Sequence, residues 1–304
     1  MLYAAGIDVG GTNIKYGLVD EEGHILFEGL VATGGMMALE NVRAVVEELK
    51  QAAVSAGVRI GGVGIGVPAI MEDGIVTGCG ENLPAMEGLA LGALLQEQTG
   101  MPVIVGNDAS LMGLAELRYG AAKGLSDVVF LTIGTGIGGA LVVKGALYSG
   151  YRNRGAELGH IRVASPGRTC GCGATGCLEA HASVKALIRE YVEMGGAAHA
   201  DGAFLFSQFQ SGEALGREVM QRHFVYLGSG ISSLINIFSP QKVVIGGGIT
   251  EAGEGYIGPI RAEALRQAMK ETSAHTVIEG ALLGNKAGFL GAAASVLDAG
   301  AAVT

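Results

Sequence analysis

Residues 157–179 hold Glu157 and His160, followed by Cys170, Cys172, Cys177 and Glu179. The cysteines follow a C-x-C-x₄-C spacing among glycines, which suits a metal loop better than three small core residues. Zinc favours four tetrahedral thiolate and imidazole ligands, and a set of His160, Cys170, Cys172 and Cys177 would close such a site. A closed site activates no water, so its task is to keep a loop rigid. Glu157 and Glu179 would then be held in place, and ionised carboxylates act only as acceptors. That points to a substrate rich in hydroxyls, a polyol or sugar. Glu157 and His160 share a face if the segment is helical. His160 can give one ring nitrogen to zinc and turn its other N–H toward a hydroxyl or a carboxylate. Cys79 lies apart from the cluster and reads as a small buried residue.

A second kind of chemistry is written in glycine. Gly10-Gly11-Thr12, residues 134–139 and Gly246-Gly247-Gly248 each follow an apolar run. Turns of this kind can present consecutive backbone N–H groups to a phosphate, because glycine lets the backbone approach closely. None matches the G-x-x-x-x-G-K-[ST] loop. Residues 134–139 lie between two strands rather than opening a helix, which argues against a dinucleotide fingerprint. Asp8, beside the first turn, is either a turn cap or an anchor for magnesium and its waters. Asn107-Asp108 is either a helix N-cap or a pair in which Asp108 takes a proton from a hydroxyl that Asn107 orients. A carboxylate suits that role in phosphoryl transfer, where positioning and charge neutralisation dominate.

These residues need strand ends and helix starts to hold them. Apolar runs predict strands at 2–9, 14–19, 25–31, 60–67, 103–105, 128–133, 140–143 and 243–245. Val42, Val45, Val46, Leu49 and Ala53 recur at helical spacing, giving a helix over 39–56. Further helices are expected near 89–98, 108–119, 178–194, 213–237, 256–269 and 286–297. The strand–Gly turn–strand unit at the start recurs at 128–143, which predicts an α/β protein of two similar lobes. The boundary falls near 118–125: a first lobe of 1–118, onto which helix 286–304 packs back, and a second of 119–285 carrying the metal loop.

Composition narrows the classes. A chain of 304 residues with 49% hydrophobic and 16% charged residues can bury a large core. Its 53 glycines show no G-X-Y repeat and so signal tight turns. A net charge of -9 argues against a broad nucleic-acid surface. Four cysteines, three of them clustered, fit a reducing compartment. The start shows no basic leader, and the most apolar run, 128–143, is broken by glycines and falls short of the roughly 20 residues a spanning helix needs. A soluble, cytoplasmic protein without membrane partners is expected.

Taken together, the motifs resemble those of the ROK family of repressors, open reading frames and sugar kinases, nearly end to end. Within 133–160, Gly136, Gly138, Ala140, Gly150, Ala156 and Gly159-His160 fit the family signature, and 170–179 fits its zinc loop. The resemblance implies an actin-like ATPase (ribonuclease H-like) fold, two lobes with a cleft between them, and ATP with Mg2+ as phosphoryl donor. By position, Asp108 would be the catalytic base and touch the sugar. Gly66, Asn82, Asn107, Glu157, His160 and Glu179 would hold the sugar. Asp8, Gly10, Gly11, Thr12, Lys15, Thr135 and Gly136 would line the phosphates, and Gly246, Gly247 and Gly248 would lie near the adenosine. Structural Zn2+ would sit on His160, Cys170, Cys172 and Cys177.

The leading expectation is phosphorylation of glucose at its 6-hydroxyl, with N-acetylmannosamine, N-acetylglucosamine, fructose or allose as alternatives. A sugar-responsive regulator of the same family is disfavoured, because Asp8 opens the phosphate motif with no DNA-binding region before it. An actin-like assembly protein would have no use for the zinc loop. A homodimer is implied by the resemblance. Ala69 stands where the family often carries glycine, which bears on the choice of sugar.

Overall fold

The computed structural model describes residues 2–79 and 83–301. Asn82 lies outside the described residues. In chain order come β1 (Leu2–Val9), β2 (Asn13–Asp20), β3 (Ile25–Ala32), α1 (Ala38–Ala56), β4 (Arg59–Val67), β5 (Ile70–Glu72), β6 (Ile75–Thr77), α2 (Leu91–Thr99), β7 (Val103–Asn107) and α3 (Asp108–Arg118). There follow β8 (Val128–Ile133), β9 (Ile137–Val143), β10 (Ala146–Leu147), α4 (Leu178–Ala182), α5 (Val184–Glu193), α6 (Gly202–Ser211) and α7 (Ala214–Phe238). The rest is β11 (Lys242–Gly246), α8 (Glu254–Gln267), α9 (Lys270–Ser273), β12 (Val277–Gly280) and α10 (Ala287–Ala301). Among the described residues no helix is long and apolar enough to cross a membrane.

Two five-stranded sheets carry the molecule, ordered β3-β2-β1-β4-β7 and β10-β9-β8-β11-β12. The order is the same in both: a hairpin pair is followed by parallel strands. In the first, β1 pairs antiparallel with β2 and parallel with β4, and β4 pairs parallel with β7. In the second, β8 pairs antiparallel with β9 and parallel with β11, and β11 pairs parallel with β12. The recurrence of strand–Gly turn–strand in the sequence is therefore a recurrence of topology.

The chain divides into two compact units. The first comprises Met1–Gly124, Leu147–Ala156 and Asn285–Thr304; the second comprises Leu125–Ala146 and Glu157–Gly284. The sequence alone places all of 119–285 in one lobe. Instead, Leu147–Ala156 clusters with the first unit, where Arg152 pairs with Glu72 and Asp73 and Arg154 pairs with Glu72.

In the first unit the expected stripe Val42, Val45, Val46, Leu49 and Ala53 of α1 is buried with Ile7, Leu18 and Ile65 of the sheet. The opposite face is covered by α10. Gly6 and Gly64 are directly paired across β1 and β4, leaving a strip with no side chains on which the helix lies. A Cβ on Gly6 would sit 1.9 Å from the Phe289 carbonyl oxygen, and one on Gly64 1.8 Å from that of Ala292.

Other expectations need correction. The single helix over 178–194 is two, because Ser183 is extended and its hydroxyl accepts from the Ala186 N–H, starting α5 afresh. The segment from Glu157 to His160 is not an α-helix. Glu157 precedes a single 3₁₀ turn, Leu158–His160, closed by the His160 N–H on the Glu157 carbonyl at 3.0 Å. The β5–β6 hairpin, α6 and β12 carried no expectation: their runs are short, and Gly202 opens α6 where a helix former is usual.

Candidate active site

In the first unit, three parallel strands end side by side. The register pairs Asp8 with Gly66 across β1 and β4, and Val67 with Asn107 across β4 and β7. Carboxyl ends of parallel strands are where α/β folds bind ligands. A Cβ on Gly66 would lie 3.6 Å from the Asp108 Cα and 3.8 Å from an Asp8 carboxylate oxygen, so a larger residue would intrude between the two acids. Asp8 is only 6% exposed. Burial, and then the charge of Asp108, push its pKa up to about 6, against the pull of Lys15 opposite it on β2.

A buried carboxylate with a second acid beside it suits a hard divalent cation, which favours oxygen ligands. Gly10, Gly11 and Thr12 follow Asp8 in a turn pinned by the Gly10 N–H on Asn13 and by the Thr33 hydroxyl on the Gly10 carbonyl at 2.6 Å. Gly11 and Thr12 are exposed. Gly288 of α10, unnoticed in the sequence, is what admits Asp8: a Cβ there would lie 2.3 Å from the carboxylate.

Asn107 caps α3, its Oδ1 accepting from the Ser110 N–H at 3.0 Å, and its Nδ2 reaches the Ala69 carbonyl at 3.4 Å. The capping alternative thus describes Asn107, and its amide keeps one N–H to offer a ligand. Asp108 opens the helix, one oxygen accepting from the Ala109 N–H at 2.8 Å.

The second unit holds the metal loop. His160, Cys170, Cys172 and Cys177 place one ligand atom each within 4.8 Å of one another. Cys172 Sγ and Cys177 Sγ are 3.7 Å apart, and Cys170 Sγ lies 3.5 Å from His160 Nδ1. A tetrahedral zinc with ~2.3 Å Zn–S and ~2.05 Å Zn–N bonds requires edges of about 3.8 Å and about 3.6 Å. The donor set and its spacing fit zinc. The loop is also stitched by its backbone: the Cys170 N–H reaches Ala174 at 2.8 Å and the Gly176 N–H reaches Arg168 at 2.8 Å.

Glu179, just beyond Cys177, accepts from the Ile137 N–H at 2.9 Å and lies 3.7 Å from Cys170 Sγ. Its carboxylate therefore bridges the metal loop and the glycine turn at β8–β9, and a Cβ on Gly136 would come within 2.5 Å of it. Glu157 is exposed. Gly159 must stay small, since a Cβ there would meet the Ile137 carbonyl at 2.0 Å. Replacing Cys177 with Ser is expected to strip the metal: elemental analysis should find equimolar zinc in chelator-free wild-type protein and little in the variant. Zinc-free wild-type protein would end the argument for a braced loop.

A cavity of about 500 Å³ opens in the same unit, lined by Ile133, Gly134, Thr135, Phe206, Gly248 and Ile249, with Asp201 and Glu251 also on its wall. This is the size of a small-ligand pocket. It joins two of the three glycine turns. Of the last turn, Gly248 lines the cavity. Gly246 instead packs against Phe130, and Gly247, at φ 105°, would bring a Cβ within 2.0 Å of the Ile133 carbonyl. Asp201, Phe206, Val184 and Ile249 were missed from the sequence. The one legible signal was Asp201 ahead of an apolar run, and it does cap α6, accepting from the Phe204 N–H at 2.7 Å.

Comparison with known proteins agrees with this geometry. The chain is 36% identical to a glucokinase of Thermotoga maritima over 312 aligned positions, covering 96% of each. It superposes on the ROK hexokinase of Thermus thermophilus with a TM-score of 0.86 at 34% identity, covering 98% of this chain and 99% of that one. It superposes on a ROK family glucokinase of Streptomyces griseus, solved with glucose and AMPPNP, with a TM-score of 0.81 at 32% identity, covering 96% and 98%. The duplicated sheets are those of the actin-like ATPase fold. The sequence model of the ROK family matches residues 4–299, and the chain belongs to that family.

Proposed function

We propose that this protein is an ATP-dependent sugar kinase whose acceptor is the 6-hydroxyl of glucose. The observation that carries the reading is the meeting of Asp8, Gly66 and Asp108 at adjacent strand ends in a chain of the ROK family. Asp108 takes the proton of the sugar hydroxyl as its oxygen attacks the γ-phosphorus; the bond to the β-phosphate oxygen breaks and ADP leaves. Asn107 offers its remaining N–H to the sugar. Glu157, Glu179 and the second nitrogen of His160 hold its other hydroxyls.

The nucleoside occupies the cavity beside Gly134, Thr135 and Gly248, and the exposed turn at Gly11 and Thr12, with Lys15, serves the phosphates. Mg2+, held through Asp8 and the phosphates, supplies charge neutralisation. Zinc on His160 and the three cysteines supplies rigidity. The glucose and AMPPNP bound to the Streptomyces griseus relative support both ligands.

Coupled ADP release across a hexose panel tests the reading. Glucose is expected to exceed N-acetylmannosamine, N-acetylglucosamine, fructose and allose in kcat/KM by roughly tenfold or more, as a site that pairs substrate hydroxyls discriminates by unpaired groups. A different front-runner replaces glucose. No turnover on any sugar removes the kinase.

A further inference from the structure

Behind the cavity lies a buried polar pair that the reaction does not use. His223 of α7 and Tyr256 of α8 are 1% and 0% exposed, and His223 Nε2 lies 2.7 Å from the Tyr256 hydroxyl. Phe224 packs 5.6 Å from the Tyr256 ring, centroid to centroid. Burial pushes the imidazole down to about 3 and raises the phenol, so both groups are neutral. Among the described residues His223 Nδ1, also buried, has no hydrogen-bond partner. A half-satisfied pair in an apolar cluster stabilises less than two hydrophobic side chains of the same shape would. What it adds over them is direction, because a hydrogen bond fixes the angle and distance at which Tyr256 sits.

Two cavity walls adjoin Tyr256. Phe206 lines the cavity and meets the Tyr256 ring edge-on, at 6.3 Å and 75°. The 3₁₀ turn Gly248–Ala252 forms another wall and ends at Gly253, whose φ of 64° and ψ of -143° only glycine adopts readily. The Tyr256 N–H returns to the Gly253 carbonyl at 3.0 Å, so this wall is one turn away from the same side chain. We infer that the His223–Tyr256 hydrogen bond positions Phe206 and the Gly248–Ala252 wall for the nucleoside, making both residues positioning residues for nucleotide affinity. The inference rests on the reading of the cavity as the nucleoside site.

Tyr256→Phe keeps the ring against Phe206 and removes only the hydroxyl. Nucleotide KM, and the Kd for AMPPNP by calorimetry, are expected to rise about five- to tenfold, the scale of one neutral hydrogen bond. Sugar KM should stay within about twofold, since the sugar touches neither wall. Combining it with His223→Leu leaves no orphaned polar atom, so the double variant should regain melting temperature without regaining nucleotide affinity. That double variant also keeps the test decisive if a single variant folds poorly. Variants that melt lower yet bind AMPPNP as the wild type does overturn the inference alone. Wild-type protein that binds no adenine nucleotide overturns the cavity reading and the inference with it.

Discussion

Asp108→Asn is expected to lower kcat by about 10²- to 10⁴-fold, the usual contribution of a positioned general base. The substitution is nearly isosteric, and the amide oxygen can still accept the Ala109 N–H that Asp108 holds at 2.8 Å. What is lost is a group able to receive the hydroxyl proton. The Asp8 carboxyl should move as well. Its pKa is raised to about 6 partly by the charge of Asp108, so removing that charge lowers it toward the ordinary carboxylate range. Circular dichroism should be unchanged and calorimetry should still detect sugar binding. Turnover retained near the wild-type rate would refute Asp108 as the base.

The largest expected stability effect lies in the seam between α10 and the first sheet. In Gly64→Ala the new methyl would sit 1.8 Å from the Ala292 carbonyl oxygen. Both groups belong to the backbone of a regular element, so no side chain can swing aside and the helix must lift. Overpacking typically costs about 1–3 kcal/mol, occasionally more, and a backbone clash belongs at the upper end. The first thermal transition should fall by several degrees in differential scanning calorimetry. Gly300→Ala, in the same helix with open space around it, is the control and should be neutral or slightly stabilising. Equal melting of both variants would show that the seam tolerates a methyl.

What could be read from the sequence was local. The α1 stripe announces itself because Val42, Val45, Val46, Leu49 and Ala53 repeat with the period of one helix. The metal loop announces itself because three of its ligands fall within residues 170–177. Asp8 and Asn107-Asp108 stand out because a polar group ends an apolar run.

What escaped depends on partners far along the chain. Nothing near residue 288 says that its neighbour is Asp8. Phe206 looks like any core aromatic until α6 is seen beside the turns at 134 and 248. Ser183 splits a helix that periodicity alone would continue, because its hydroxyl offers the backbone a new start. Gly246 and Gly247 are also held to glycine by Phe130 and the Ile133 carbonyl, which can be seen only by knowing what lies opposite.

The seam also governs the order in which the molecule can be completed. Strands β1 and β4 leave the ribosome more than two hundred residues ahead of α10, yet their glycine strip stays wet until residues 287–301 follow. Everything in the second unit has been synthesised by Gly284. The first unit is therefore completed after the second, and until α10 arrives its bare β1–β4 surface is open to any other apolar segment that reaches it.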